Sequence, residues 1–299
     1  MYTMKLRNLL LGACLLGAST LTAATHKGYI AASDGAQIYY EERGEGEPLI
    51  LLHGHSLDTR MWDKQFRAFA KKYRVVRFDF RGYGRSSEQR EEFQFTHLGD
   101  LLTVMDSLHI DRAHIVGLSM GAFVASDMLA VAPERMLSCV LASGGMKTYK
   151  GPSEPMDDAE KAKRHKEIEA LKAKGVDKMK AEWLEGLIAS GGSNRESMRK
   201  PLKRMIDKWT AWQPLHLEPR VIVAKDGLER FKQNRPQVPT LFLVGGAELK
   251  GKEPSRSWMM DYLPNSQLQV VPDSGHMMNM EQPEAFNQTV LTFLQSVKQ

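Results

Sequence analysis

Cysteine is nearly absent from this sequence: Cys14 and Cys139 are the two among 299 residues. A scaffold stapled by several disulfides is therefore excluded, because two cysteines form one bridge at most. Cys139 lies in an apolar run with no helix start beside it to lower the pKa of its thiol. We expect a small buried hydrophobic side chain there and not a catalytic nucleophile. With 42% apolar residues, stability must come from a hydrophobic core.

The sequence also lacks a hydrophobic run long enough to cross a bilayer, which takes about 20 residues. The run at 9–21 is shorter, follows the positive charges of Lys5 and Arg7, and precedes the small residues Ala23 and Ala24. This order is typical of a cleaved secretory signal. We predict a signal peptide over residues 1–24, export to the periplasm or the medium, and no stable membrane insertion.

Strong charge of one sign is missing as well. The formal net charge of +5 is too small to indicate a nucleic-acid partner, and we expect none. Residues 151–238 hold an excess of five positive charges, which either form a solvated helical face or attract an anionic substrate. The spacing of His, Cys and carboxylates matches no metal site, so we expect neither a metal nor a cofactor. The sequence leaves the oligomeric state open.

What the sequence does contain is an alternation of strand-like and helix-like segments. A hairpin is predicted at 29–31 and 37–41, and apolar strands then follow at 49–52, 74–80, 114–118 and 137–142. Thr96 is the expected N-cap of the helix that precedes the third of these strands, and another helix is expected at 120–131. Strands that are apolar on both faces and alternate with helices predict a doubly wound, mostly parallel α/β sheet.

The alternation stops between residues 146 and 238, where lysine-rich segments show helical periodicity. Helices are expected at 157–174, 176–189 and 196–212. Strands return at 239–244 and 267–271, and an amphipathic helix is expected at 283–297. We therefore predict a core formed by residues 25–145 and 239–299, with a helical cap inserted at 146–238.

The segment Gly117, Leu118, Ser119, Met120, Gly121 stands between a predicted strand and a predicted helix. A G-x-S-x-G pattern in that position displays a serine hydroxyl on a sharp turn. The glycines are needed because the reversing backbone leaves no room for side chains. Ser119 is therefore the candidate nucleophile.

A serine hydroxyl needs a base within hydrogen-bonding reach, usually a histidine oriented by a carboxylate. His276 follows the last predicted strand, in the region where open α/β sheets place their sites. Glu248 follows the strand predicted at 239–244, and Glu253 lies further along the same loop. We predict a triad of Ser119, Glu248 and His276, with Glu253 as the alternative acid.

Acyl transfer also builds negative charge on a carbonyl oxygen, which backbone N–H groups stabilise. One oxyanion donor is expected from Met120, directly after the nucleophile. The other is expected from His55, in the loop after the strand at 49–52. The His55 side chain could instead act as a ligand or as an acid–base group.

Further motifs follow one another along the chain. They are His53 and Gly54; Met61 and Trp62; Asp79, Arg81, Gly82, Tyr83, Gly84 and Ser86; the Ser119 elbow; Pro239, Thr240 and Gly245; and Gly275, His276, Glu281, Pro283, Glu284 and Phe286. Together they resemble the α/β-hydrolase superfamily, specifically its capped serine esterase and perhydrolase-like branch. That branch usually has aspartate where Glu248 stands, and an aromatic or apolar residue where His55 stands.

The resemblance implies hydrolysis of a carboxylic ester or lactone, a small-molecule substrate, through an acyl-enzyme on Ser119. Thioester hydrolysis, acyl transfer, perhydrolysis and carbon–carbon bond hydrolysis use the same triad and stay open. A non-catalytic binding protein of the same fold also stays open. The candidates for substrate contacts are Met277, Met278, Trp183 and Trp209. Methionines beside the triad predict a pliable pocket for a short or medium acyl or aryl group.

Overall fold

One sheet of eight strands runs through the described residues, which in the computed structural model are 24–90, 95–146, 157–217, 227–248 and 256–297. The strands are β1 (His26–Ala31), β2 (Gln37–Arg43), β3 (Pro48–Leu52), β4 (Arg74–Phe78), β5 (Ala113–Leu118), β6 (Met136–Ala142), β7 (Thr240–Gly245) and β8 (Ser266–Val271). They lie in the order β1-β2-β4-β3-β5-β6-β7-β8. The pairs β1–β2 and β2–β4 are antiparallel, and the other neighbours are parallel. The predicted doubly wound, mostly parallel α/β fold is confirmed.

Helices follow most of the strands. In the described residues they are α1 (Asp63–Phe69), α2 (His97–Ser107), α3 (Met120–Val131), α4 (Asp158–Lys174), α5 (Val176–Ala189), α6 (Arg199–Ile206), α7 (Trp212–Leu215), α8 (Gly227–Asn234), α9 (Arg256–Met260), α10 (Met278–Glu281) and α11 (Pro283–Ser296). Thr96 caps α2 as predicted, because its hydroxyl accepts a hydrogen bond from the Gly99 N–H at 2.8 Å. The bounds of α3 match the predicted helix.

The core lies on both faces of the sheet, because the central strands β3, β5, β6 and β7 are buried along nearly their whole length. Side chains of α2, α3 and α8 cover one face, around Ile50. Side chains of α1 and α11 cover the other, around Leu51. In such a sheet the loops at the carboxyl ends of the parallel strands are the place for a functional site.

The segment between β6 and β7 holds α4 to α8, and we call α4 to α7 the cap. The continuous helix predicted at 196–212 is wrong. The chain forms a 3₁₀ turn (Arg195–Met198), α6 and α7 instead, with Ala211 in a left-handed conformation at φ = 60°. Gln213 explains the break: its Nε2 donates to the Gly82 carbonyl at 2.9 Å, and its Oε1 accepts from Trp209 Nε1 at 2.7 Å. A contact with the core thus overrides the local helical pattern.

Several predictions concern residues outside the described part of the chain. The signal peptide predicted over residues 1–24 is one of them, since residues 1–23 lie outside the described residues, and it stays a prediction. Within the described residues, no helix is both long and apolar enough to cross a membrane.

Cys139 is buried, and burial raises the pKa of its thiol, which fits the inert role expected for it.

Candidate active site

The Ser119 elbow joins β5 to α3. Ser119 has φ = 56° and ψ = −114°, a conformation that residues with side chains rarely adopt. A Cβ on Gly117 would lie 2.3 Å from the Gly121 carbonyl oxygen, and one on Gly121 would lie 2.1 Å from the Leu52 carbonyl oxygen. Both positions require glycine for this reason, and the close packing holds Ser119 at the carboxyl end of β5.

His276 and Glu248 form a hydrogen-bonded pair. The imidazole Nδ1–H donates to Glu248 Oε1 at 2.9 Å. A carboxylate only accepts hydrogen bonds, so this contact keeps the proton on Nδ1 and leaves Nε2 of the neutral ring as a proton acceptor. Within the described part of the chain, the Ser119 hydroxyl makes no hydrogen bond to this ring. Such contacts are often long in unliganded sites and tighten when a substrate binds.

Ser143 is a second partner of Glu248. Its hydroxyl donates to Glu248 Oε2 at 2.7 Å, so both carboxylate oxygens are engaged. Ser143 directly follows β6, and its N–H donates to the Leu243 carbonyl of β7 at 2.9 Å. The sequence analysis does not name Ser143. A usable signal was its polar side chain at the carboxyl end of β6, because the neighbouring strand β7 leads to Glu248.

The loops that carry the acid and the histidine are packed backbone against backbone. A Cβ on Gly245 would lie 2.4 Å from the Gly275 carbonyl oxygen. The Ala247 N–H donates to the Ser274 carbonyl at 2.8 Å, and the Glu248 N–H closes a turn on the Gly245 carbonyl at 3.0 Å. This turn brings the glutamate side chain back toward His276, which accommodates its extra methylene relative to aspartate.

The predicted oxyanion loop lies against the elbow. A Cβ on Gly54 would lie 3.6 Å from the Ser119 Cβ. His53 holds the loop, because its Nδ1–H donates to the Gly54 carbonyl at 2.8 Å while its Nε2 accepts from the Phe80 N–H at 2.9 Å. Burial lowers the pKa of His53 to about 4, so the ring is neutral at pH 7 and can both donate and accept.

Asp79 joins the segments that carry Thr59 and Arg85. Its carboxylate accepts from the Thr59 N–H at 2.7 Å and from the Arg85 N–H at 2.9 Å. Burial, together with the charge of the neighbouring Asp58, raises its pKa to about 6. Gly84 makes room for this carboxylate at φ = +58°, where a Cβ would lie 2.2 Å from Asp79 Oδ2.

Met120 is the first residue of α3, so its N–H has no acceptor within the helix. The helix dipole also favours negative charge at this end. These properties suit an oxyanion donor. The roles of Met120 and His55 in binding an oxyanion stay predictions.

The His55 side chain lies among three aromatic rings. Its Nδ1 is 2.7 Å from the Tyr83 hydroxyl. Trp209 and Trp183 of the cap meet it edge to face, with ring centroids 5.0 Å and 5.9 Å away. Trp183 Nε1 donates to the Ser56 hydroxyl at 2.7 Å, which ties the cap to the oxyanion loop. Two of the predicted substrate-contact residues thus meet at His55.

Met277 and Met278 are buried in the apolar cluster of the α1 and α11 face. Their contact with a substrate stays a prediction. Glu253, the alternative acid, lies outside the described residues. Among the residues that are described, no group of three or more His, Cys, Asp or Glu side chains could hold a metal ion.

Residues 49–289 match the alpha/beta hydrolase family. The chain belongs to this family. It is 29% identical over 275 residues to the putative non-heme bromoperoxidase BpoC of Mycobacterium tuberculosis, covering 87% of this chain and 98% of the relative. It is 26% identical over 280 residues to 3-oxoadipate enol-lactonase 1 of Acinetobacter baylyi, covering 91% and 98%.

Solved structures agree with this assignment. A thermophilic esterase from Thermogutta terrifontis superposes with a TM-score of 0.66 at 25% identity, over 92% of this chain and all of that one. The alpha/beta hydrolase family and these relatives identify the chain as a hydrolase with a small-molecule substrate. Glu248 and His55 are the positions at which this family member departs from the pattern expected of its branch.

Proposed function

We propose that this protein is a serine hydrolase that cleaves a carboxylic ester or lactone through an acyl-enzyme on Ser119. The observation that carries the proposal is the 2.9 Å hydrogen bond from His276 Nδ1 to Glu248, at the same edge of the sheet as the strained Ser119 elbow. A base with a fixed tautomer and a displayed hydroxyl are the parts that acyl transfer requires. The likeness to an enol-lactonase and an esterase supports the substrate class.

In the first step, His276 Nε2 takes the proton of the Ser119 hydroxyl as its oxygen attacks the carbonyl carbon. The resulting oxyanion accepts hydrogen bonds from the Met120 and His55 amides. Glu248 stabilises the imidazolium that forms. His276 then gives its proton to the leaving alcohol, and the acyl group stays on Ser119.

In the second step, His276 takes a proton from water, and the hydroxide formed attacks the acyl-enzyme. The tetrahedral intermediate collapses, the acid leaves, and the proton returns to Ser119. The aromatic rings around His55 and the methionines beside the triad favour a short or medium acyl or aryl group. The proposal includes export of the mature protein after removal of residues 1–24.

A fluorophosphonate probe and a Ser119→Ala variant test the proposal together. We expect the probe to label the folded wild type and not the variant. A panel of esters and lactones should show turnover that is lost in the variant. The proposal is wrong if Ser119 stays unlabelled and hydrolysis equals that of the variant. Preference for long-chain or strongly polar substrates in the same panel would reject the pocket assignment alone.

Perhydrolysis is a second candidate, favoured by the likeness to a putative non-heme bromoperoxidase. Hydrogen peroxide would replace water in the second step, and the product would be a peracid. Peracid formation from a short carboxylic acid and hydrogen peroxide, lost in Ser119→Ala, would distinguish this reaction from hydrolysis.

A further inference from the structure

One buried carboxylate joins the loop that carries His276 to the cap. Glu281 is fully buried. Its Oε2 accepts from the Gly275 N–H at 2.8 Å, and its Oε1 accepts from the Gly192 N–H at 2.6 Å. Gly275 directly precedes His276, whereas Gly192 lies in the cap loop between α5 and the 3₁₀ turn at Arg195–Met198.

The two loops also touch through their backbones. A Cβ on Gly275 would lie 1.8 Å from the Ser190 carbonyl oxygen, and one on Gly192 would lie 2.5 Å from the Asp273 carbonyl oxygen. No side chain fits at either glycine, so the loops can meet closely enough for one carboxylate to bridge them. At this edge the cap and the histidine loop are in direct backbone contact.

The charge of Glu281 needs compensation, because burying an ionised carboxylate without partners is costly. Within the described residues no cationic side chain pairs with it, and the two backbone amides are the partners of its oxygens. Hydrogen bonds to an ionised acceptor are about twice as strong as neutral ones. The carboxylate is therefore suited to hold both loops, which a neutral side chain would do less well.

We propose that Glu281 is a positioning residue, which sets the His276 loop against the cap and so keeps the imidazole in place for catalysis. This inference rests on the proposed function, in which His276 is the base. It also implies that substrate enters at another edge of the cap, because this edge is bonded to the histidine loop.

Glu281→Gln tests the inference without a large change of shape. The amide oxygen can accept from one loop, but the amide group turns an N–H toward the other. We expect hydrogen exchange to quicken by about tenfold or more at the amide, Gly192 or Gly275, that then faces the N–H of the glutamine. We expect kcat for ester hydrolysis to fall by about tenfold to a hundredfold, with KM changed by less than about twofold. Glu284→Gln, the same change on the exposed side of α11, is the matched control.

Unchanged exchange at both amides would overturn the inference, and so would faster exchange with kcat within about twofold of wild type. If the wild type shows no Ser119-dependent activity, the proposed function fails, and the exchange data still decide whether Glu281 joins the loops. If Glu281→Gln does not fold, Asn194→Ala replaces it. This variant removes the 3.0 Å bond from Asn194 Nδ2 to the Glu281 carbonyl. It should loosen the cap loop and lower kcat, by less than the fall expected for Glu281→Gln.

Discussion

Replacing Glu248 by glutamine should lower kcat by several orders of magnitude while leaving the fold intact. In the wild type, Glu248 accepts two hydrogen bonds, from His276 Nδ1 at 2.9 Å and from the Ser143 hydroxyl at 2.7 Å. The glutamine oxygen can still accept from Ser143. Its NH₂ group would then face the imidazole and donate to Nδ1, which moves the ring proton to Nε2. The histidine in that tautomer cannot accept the Ser119 proton.

The magnitude has two parts. A hydrogen bond to a charged group contributes about 1.5–3 kcal/mol, and the variant loses the one from His276. At about 1.4 kcal/mol per tenfold in rate, this loss alone is a fall of about 10- to 100-fold. Replacing the acid of a Ser-His-acid triad by its amide lowers kcat by about 10⁴, which is more than one bond explains, because the wrong tautomer also removes the proton acceptor. We therefore expect a loss of about 10³ to 10⁴ in kcat.

The assay is steady-state hydrolysis of a short-chain aryl ester, with thermal melting to check the fold. Ser143→Ala is the graded control, because it removes one of the two bonds and leaves the tautomer unchanged. It should lower kcat by about 10- to 100-fold. Activity of Glu248→Gln within tenfold of wild type would refute the reasoning and move the acid role to another carboxylate.

Three further predictions concern the scaffold around the site. Gly121→Ala places a Cβ 2.1 Å from the Leu52 carbonyl oxygen, so it should lower the free energy of unfolding by about 1–3 kcal/mol and slow fluorophosphonate labelling; normal stability would contradict it. Burial raises the pKa of Asp127 from 3.8 to about 7, so the folded state holds a proton that the unfolded state releases, and stability falls as pH rises between these values. Relative to wild type, the free energy of unfolding of Asp127→Asn should rise by up to about 4 kcal/mol between pH 4 and pH 8, as measured by urea melts. A difference that does not depend on pH would disprove this. Cys139 should react with a thiol reagent in urea but not in the folded protein, and rapid labelling of the native state would show that it is not buried.

The candidate nucleophile could be predicted from the sequence because its signals are local. The elbow glycines surround Ser119 within five residues, and the apolar runs on either side specify a strand and a helix. The same holds for α3, whose bounds match the prediction, and for Thr96, whose capping bond spans three residues. The candidate base His276 could also be identified from the sequence, because it follows a predicted core strand and the order of the strands can be read from the sequence.

The contacts of Ser143 and Glu281 could not be predicted, because each joins atoms far apart in the chain. Ser143 reaches a carboxylate 105 residues away, and Glu281 reaches an amide 89 residues away. The break after α6 has the same origin, since Gln213 bonds to a carbonyl 131 residues earlier. Strand and helix periodicity carries no information about such pairs.

The sequence by itself determined the strands, the order of the candidate nucleophile, acid and base, and the glycines that the elbow requires. These features depend on side-chain periodicity and on steric limits within a few residues. Tertiary structure decided how Glu248 is held by Ser143 and His276, and how Glu281 joins the histidine loop to the cap. Those contacts exist only after the sheet has brought the ends of β5, β6, β7 and β8 to one edge, where backbone amides and carboxylates from distant segments meet.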